Sequence, residues 1–203
     1  MAANSTVEIV NMAIVPLGAR PIAALDEGSK AASLANEIFD TERDATLQAH
    51  EWNFAVKRTS LGLIAQAVVF GFGSQFQLPP DYLRVVEVSP EGKYKVEGRR
   101  ILSNETTLSI RYIAQITSPT EWSPTFKSVL AARLRWKMAY AITELTSVVD
   151  RCAREYEALL SEARTIDSQE SGPELATSSD ADVLISTRTT WGDGLAAGEW
   201  WRA

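Results

Sequence analysis

The sequence predicts an α+β fold that is mainly α: an antiparallel helical bundle with an inserted small antiparallel β-sheet and an extended C-terminal arm. Apolar residues recur at helical spacing before residue 50 and again after residue 124, which indicates amphipathic helices on both sides of the insert. Between these regions, Gly and Pro separate runs rich in Val, Ile and Tyr, which indicates strands. After residue 170 the composition shifts to Ser, Gly, Thr and Asp, and no helical stripe continues.

Four helices are expected within a first unit of residues 1–170, over about residues 5–17, 29–50, 124–145 and 147–168. Ser5 and Glu8 form a possible capping box, in which a hydroxyl and a carboxylate satisfy free amides at the start of the first helix, and Gly18 favours its end. The third helix carries apolar residues on two sides, which favours a central position. The fourth has the most regular apolar stripe of the chain, from Val149 to Ala163.

The β insert is expected at about residues 71–116, with strands at residues 83–88, 94–96, 100–102 and 107–113. Turns are expected at residues 97–99 and 103–105, so that neighbouring strands pair as hairpins in one antiparallel sheet. The GFGS segment that begins at Gly71 lacks the Lys of a phosphate-binding loop, and it favours a flexible hairpin or loop.

Composition limits the classes of function. The 203 residues fit one domain with appended segments, and 45% hydrophobic residues suffice for a core. The single cysteine excludes an intramolecular disulfide, and the net charge of −6 argues against a general polyanion binder. No run of about 20 apolar residues could span a membrane. The first residues, MAANSTVEIV, lack the features of a secretion signal, which predicts synthesis and retention in a cytoplasm.

Few residues are candidates for catalysis. His50 is the one histidine, and its place at a predicted helix end favours a structural role over a catalytic dyad or a metal site. Cys152 lies on the apolar stripe of the last helix and is interpreted as a small buried hydrophobe. Acidic clusters such as Asp26 with Glu27 are interpreted as solvated surface. The protein is therefore predicted not to be an enzyme, with no catalytic or metal-binding residue and no cofactor.

One stretch of the third helix is basic. Between Glu121 and Glu144 the chain has no acidic residue but four basic ones, Lys127, Arg133, Arg135 and Lys137. This positive charge can face the phosphates of DNA in a channel, or an acidic segment of a neighbouring subunit. A charged helix face in water is an equally good interpretation, so the three readings stay open.

The C-terminal arm, residues 171–203, carries five acidic and two basic residues and three of the six tryptophans. Trp gains nothing from exposure to water, whereas a Trp buried in a partner's pocket contributes strongly to binding. The arm is therefore predicted to extend onto another chain through an apolar cluster and three tryptophans, Val183, Leu184, Ile185, Trp191, Trp200 and Trp201. A locally collapsed tail is the alternative.

Several segments between residues 7 and 168 resemble one known family in order and spacing. The N-terminal third contains a helix, an LG..PI turn with acidic residues, a helix bearing Ala, Asp and Arg, and then a W-FA-KR motif that includes Trp52, Phe54, Lys57 and Arg58. Later segments are LPPDYLRV, YKVEGRRILSN and SIRYI. Together they are similar to the tail tubular protein A family, the head-to-tail adaptors of T7-like short-tailed bacteriophages. By residue type, Trp52 and Phe54 are expected to anchor the insert to the bundle while Lys57 and Arg58 remain solvated.

The resemblance implies a structural virion protein, assembled in the host cytoplasm and located in the tail at the portal vertex. It implies a homo-oligomeric ring, a dodecamer, between the portal protein and the tail nozzle or tube protein. Packaged double-stranded DNA would pass through the lumen of this ring. The insert would project to a neighbour or to the nozzle, and the arm would bind the portal.

Three alternatives remain open at this point. The first is a head-completion plug of another short-tailed phage lineage. The length of the phage tail and the dependence of assembly on the nozzle would distinguish such a plug from an adaptor. The second is a DNA-binding regulator, a hypothesis supported by the basic stretch alone. The isolated protein would then bind free duplex DNA with a steep salt dependence. A virion-borne hydrolase is disfavoured because the sequence offers no histidine partner or metal-ligand set.

Overall fold

The structure is a computed structural model of the chain, and it describes residues 5–66 and 68–170. Helix accounts for 48% and strand for 21%, so the described part is a mixed α and β protein in which helix predominates. The strands form two small antiparallel sheets. The predicted C-terminal arm lies outside the described residues.

The described part of the chain has four α-helices, α1 (Thr6–Ile14), α2 (Lys30–Gln48), α3 (Pro124–Thr143) and α4 (Thr146–Glu170), each close to its expected position. The predicted capping box is confirmed, because the Glu8 amide donates to Ser5 Oγ (3.2 Å) and the Ser5 amide donates to Glu8 Oε2 (3.1 Å). A short 3-10 turn, Val15–Leu17, continues α1 to Gly18, whose left-handed φ of 86° ends it.

Serine caps also fix the starts of α2 and α3. Ser29 Oγ accepts from the Ala32 amide, and Ser123 Oγ accepts from the Phe126 amide, each at 3.2 Å. α3 ends at Glu144, which has a left-handed φ of 59°, and α4 begins two residues later. Because so short a connection reverses the chain, α3 and α4 pack as an antiparallel pair.

α3 is the central helix of the described chain. It packs against α1, α2 and α4. Its buried apolar residues extend around the helix and include Phe126, Val129, Leu130, Leu134 and Met138. A helix that is apolar on several sides must be covered on several sides. The central position predicted from its two apolar faces is therefore confirmed.

Among the described residues, six strands lie between α2 and α3: β1 (Val56–Leu61), β2 (Ser74–Gln77), β3 (Tyr82–Ser89), β4 (Tyr94–Glu97), β5 (Arg100–Ser103) and β6 (Leu108–Ala114). One sheet has the order β1-β6-β3 and the other β2-β5-β4. The expectation of a single sheet starting near residue 71 was wrong, because β1 precedes that point and the strands divide between two sheets. β1 and β2 were missed because VKRTSL and SQFQ are largely polar, and each is held by pairing with a distant strand.

Of the two expected hairpin turns, the first joins paired strands. β4 and β5 pair around Gly98, with Glu97 opposite Arg100, and Gly98 has the positive φ of 60° that such tight turns require. Residues 103–105 instead connect β5 to β6, which belongs to the other sheet. This second segment is therefore a crossover between sheets, since two strands that do not pair cannot form a hairpin.

Each sheet buries one face in the core that the helices share. From the first sheet, Leu108, Ile110 and Tyr112 of β6 are buried on one side. From the second, Phe76 and Ile101 are fully buried. All of them belong to the same cluster as the buried residues of the helices. The buried residues of both sheets therefore continue the cluster of the helices, and the first sheet contacts α2 through β3 and β6.

Candidate functional site

The W-FA-KR motif lies where the helices meet the first sheet. Trp52 is fully buried, and its indole Nε1 donates to the Thr46 carbonyl of α2 at 3.0 Å. Its ring meets Phe126 of α3 edge-on with 5.1 Å between centroids, and Phe54 meets the same Phe126 ring at 5.1 Å. Edge-on aromatic contacts of this kind add to the free energy gained from burial. Trp52 and Phe54 thus connect α2, α3 and the start of β1, and the predicted burial of Trp52 is confirmed.

The two cations of the motif lie on opposite faces of β1. Lys57 Nζ lies 2.9 Å from Asp81 Oδ2, and Asp81 Oδ1 accepts from the Tyr112 hydroxyl at 3.0 Å. Burial disfavours the charged form of Asp81, but hydrogen bonds from Lys57 and Tyr112 outweigh it and lower the pKa of the carboxyl. Burial of the Tyr112 hydroxyl, together with its hydrogen bond to Asp81, raises the pKa of Tyr112 to about 12. Arg58 is exposed, as predicted, and Lys57 is half-exposed in its ion pair.

Arg133, one of the four basic residues predicted in α3, points into the chain itself. It forms an ion pair with Glu42 of α2, and its Nη1 donates to the Tyr156 hydroxyl of α4 at 2.9 Å. Burial disfavours the guanidinium charge, but the hydrogen bonds with Glu42 and Tyr156 outweigh it and raise the pKa of Arg133. The guanidinium therefore joins three helices and has its charge compensated within the chain.

The remaining basic residues of α3 do not form a common surface. Arg135 pairs with Glu155 of α4, and Lys127 is buried, with 5% of its surface exposed. Lys137 is exposed, and its Nζ lies 4.4 Å from the centre of the Trp136 ring. Within the described chain, Arg133 and Arg135 are paired with carboxylates and Lys127 is buried, so Lys137 alone of the four is exposed. Contact of the four residues with DNA or with a neighbouring subunit stays a prediction. Sequence spacing could not reveal the carboxylates that other helices bring to these cations.

His50 has a partner that the sequence did not indicate. Its Nε2 lies 3.0 Å from Oδ2 of Asp167, a buried carboxylate near the end of α4. Asp167 also accepts from the Asn53 amide at 3.2 Å, and Asn53 Nδ2 donates to the Asp167 carbonyl at 2.8 Å. These bonds tie the end of α4 to the segment that carries Trp52. Asp167 was missed because its partners lie more than 100 residues earlier in the chain.

Cys152 is buried on α4, as its place on the apolar stripe predicts. Burial raises the pKa of its thiol, which disfavours the reactive thiolate. Across residues 5–66 and 68–170, no three His, Cys, Asp or Glu side chains are grouped so that they could hold a metal ion. In the same part of the chain, no helix combines the length and the apolar character needed to cross a membrane.

The GFGS segment lies at the end of the loop that joins β1 to β2, and its Ser74 is the first residue of β2. Just before Gly71, Val69 and Phe70 are 95% and 85% exposed. Their loop borders an open cleft of about 570 Å³ whose other side includes Lys95 and Arg100 of the second sheet. Two adjacent large apolar side chains are therefore exposed beside a cleft with a mixed polar and apolar lining.

A second surface feature was missed by sequence analysis. On the β1-β6-β3 sheet, Arg58 lies directly opposite Arg111, and Arg111 lies beside Glu87 of β3. Their segments are far apart in sequence, so only the strand pairing brings these charges together. No local pattern in the sequence could have indicated this grouping.

The residues expected to bind the portal, Val183, Leu184, Ile185, Trp191, Trp200 and Trp201, lie outside the described residues. No protein-family model matches the sequence, and no curated protein matches it significantly. The family resemblance inferred from the residues therefore stays a prediction.

Proposed function

We propose that this chain is a structural protein of a short-tailed bacteriophage virion, a head-to-tail adaptor that forms a homo-oligomeric ring between the portal and the tail nozzle or tube protein. Its four helices form the antiparallel bundle of the adaptor, its strands form the insert, and residues 171–203 form the arm that binds the portal. The ring assists tail assembly and encloses the conduit for packaged DNA. Its role is binding, with no catalytic turnover.

The motif that carries the resemblance supports the proposal through its contacts. Trp52 is buried against Phe126 of α3, and Phe54 packs on the same ring, so the aromatic residues of the motif join the strands to the helices. A joint of this kind holds the insert in a fixed orientation because ring packing leaves few alternative arrangements. A ring subunit needs such rigidity if the insert is to meet the same surface of each neighbour.

The observation that carries the proposal is the apolar loop at residues 68–72. Val69 and Phe70 are almost fully exposed in the isolated chain. Burying each side chain at a subunit contact would contribute about 1.5–3 kcal/mol, and a closed ring repeats that contribution in every subunit. An adaptor explains this exposure, since the loop is covered only after assembly.

Electron microscopy of the purified protein mixed with the portal protein of the same phage tests the proposal. We expect density for one added ring on the portal, and a nozzle or tube protein that attaches only when this ring is present. The double variant V69S/F70S should keep the circular dichroism spectrum of the wild type, because both side chains are exposed, but should lose ring closure or nozzle attachment. A wild-type protein that binds neither the portal nor itself would overturn the proposal.

A further inference from the structure

The outer face of the β1-β6-β3 sheet brings together two arginines and a row of serines. Arg58 of β1 pairs with Arg111 of β6, which lies beside Glu87 of β3. Two residues further along, the three strands align three serines, Ser60, Ser109 and Ser89. Alternate residues of a strand share a face, so these side chains project on one side and the buried Ile110 and Tyr112 on the other.

The two arginines of this face differ in their pairing within the described residues. Arg111 Nε lies 2.9 Å from Glu87 Oε2. Arg58 is exposed and has no acidic partner among residues 5–66 and 68–170. Like charges placed directly opposite each other on paired strands are destabilising. The face therefore has an uncompensated guanidinium beside a second one, and an added anion would relieve their repulsion.

A shallow cavity lies at the same place. It measures about 170 Å³ and is lined by Arg58, Glu87, Ser89, Ser109, Ile110 and Arg111. Ser60 Oγ and Ser109 Oγ are 3.0 Å apart, so a hydroxyl donor lies at its edge. Guanidinium groups match the geometry of phosphate oxygens, and their charge-assisted hydrogen bonds are the stronger kind. Glu87 also lines the cavity, and its pairing with Arg111 leaves Arg58 as the group best able to receive an anion.

We propose that this face is a binding site for a single phosphate group, held by Arg58 with Arg111 and the serine hydroxyls. The phosphate belongs either to free inorganic phosphate or to the backbone of DNA, since both present the same oxygens. The inference does not depend on the adaptor function, because the site is formed within one chain. It also differs from a general attraction for polyanions, which the net charge of −6 opposes.

The test compares the full-length wild type with Arg58→Gln and Lys57→Gln. The two variants lose one positive charge each from adjacent positions of β1, but Lys57 lies on the face that carries Asp81. Thermal unfolding is followed with increasing inorganic phosphate, with sodium chloride adjusted to hold the ionic strength constant. A ligand that binds the folded state raises the melting temperature. We expect phosphate to raise the melting temperature of the wild type and of Lys57→Gln. Arg58→Gln should bind phosphate at least about tenfold more weakly.

A second measurement separates the two sources of phosphate. Binding of a labelled 20-base-pair duplex is followed by fluorescence anisotropy over a series of salt concentrations, with the same three proteins. Duplex binding whose salt slope falls by about one in Arg58→Gln identifies the DNA backbone as the ligand. A response to inorganic phosphate without duplex binding identifies the free ion. Equal behaviour of Arg58→Gln and Lys57→Gln with both probes, or no response of the wild type to either, would overturn the proposal.

Discussion

At the scale of single residues, burial and pairing separate side chains that look alike in the sequence. Trp52 is fully buried and hydrogen-bonded, whereas Phe70 is 85% exposed, although both are large aromatics next to segment boundaries. Lys57 and Arg58 are neighbours, yet Lys57 has Asp81 as its partner and Arg58 faces another arginine. The free energy that each residue contributes therefore depends on its contacts and not on its type.

Replacing Trp52 by Ala should lower the free energy of unfolding by about 3–5 kcal/mol, the usual cost of removing a large buried aromatic. The change removes the contact with Phe126 and the hydrogen bond to Thr46. Urea denaturation monitored by circular dichroism measures the effect. Phe70→Ala is the matched control, and its exposed ring should change stability by no more than about 0.5 kcal/mol. Equal stability of Trp52→Ala and the wild type would contradict the joint described for the motif.

The cluster of Lys57, Asp81 and Tyr112 predicts a dependence of stability on pH. The pKa of Asp81 is lowered in the folded chain, so its carboxylate stabilises the fold above its ordinary value of 3.8 and loses that effect as the pH falls through the lowered value. Asp81→Asn should therefore be less stable than the wild type near neutral pH, and the difference should shrink below about pH 4. Urea denaturation of both proteins between about pH 2.5 and 7, in steps of about half a pH unit, measures this difference. A difference that grows in acid would contradict the assignment.

At the scale of elements, α3 shows how a helix that looks basic in sequence becomes part of the interior. Its cations extend toward α2 and α4, where Arg133 meets Glu42 and Arg135 meets Glu155. The pattern of α3 alone predicts its central position, because apolar residues occur on more than one side. The direction in which its charges point depends on helices that lie far away in the sequence.

Arg133→Gln should destabilise the protein by at least about 1–3 kcal/mol, because Glu42 then keeps a largely buried carboxylate without its cation. Lys137→Gln, on the same helix but exposed, should change stability by no more than about 0.5 kcal/mol. Thermal and urea unfolding of both variants measure the effects. A double variant, Arg133→Met with Glu42→Leu, should recover part of the loss, since removing both charges leaves neither one uncompensated. Equal stability of the two single variants would show that the ion pair contributes nothing.

At the scale of the whole molecule, the described helices and strands share one core. The apolar stripe of α4 packs against α3, with Cys152, Tyr156 and Ala163 buried and Val149, Leu159 and Leu160 partly buried. Near its end, Asp167 is held by His50 and Asn53. These contacts lie before residue 171, so they do not require the segment that follows.

Truncation after Glu170 should therefore leave folding intact and abolish stable docking to the portal. The stripe of α4 keeps its covering residues, whereas the tryptophans at 191, 200 and 201 are lost, and an interface Trp typically contributes about 2 kcal/mol or more. Circular dichroism and melting temperature compare the truncated and full chains, and co-sedimentation with portal rings measures docking. Full-strength docking of the truncated chain would refute the role of the arm. If the truncated chain failed to fold, the domain boundary would lie elsewhere than at residue 170.

The sequence by itself determined the helices, the capping box and Gly18 stop of the first helix, and four of the six strands found in the described residues. These features depend on neighbours within a few residues, such as the Ser5 hydroxyl with the Glu8 amide or the apolar stripe of α4. Local periodicity and capping residues are therefore sufficient to predict them. The apolar stripe also predicted the burial of Cys152, and the residue type of Trp52 predicted the burial of its ring.

Only the tertiary structure decided how the strands divide and where the charges meet. β1 is polar and becomes a strand because its backbone pairs with β6, and Arg58 meets Arg111 only through that register. Glu42 reaches Arg133 from 91 residues away, and Asp167 reaches His50 from 117 residues away. Such partners are chosen by the packing of distant segments, because hydrogen bonds and ion pairs depend on distance in space and leave no periodic pattern along the chain.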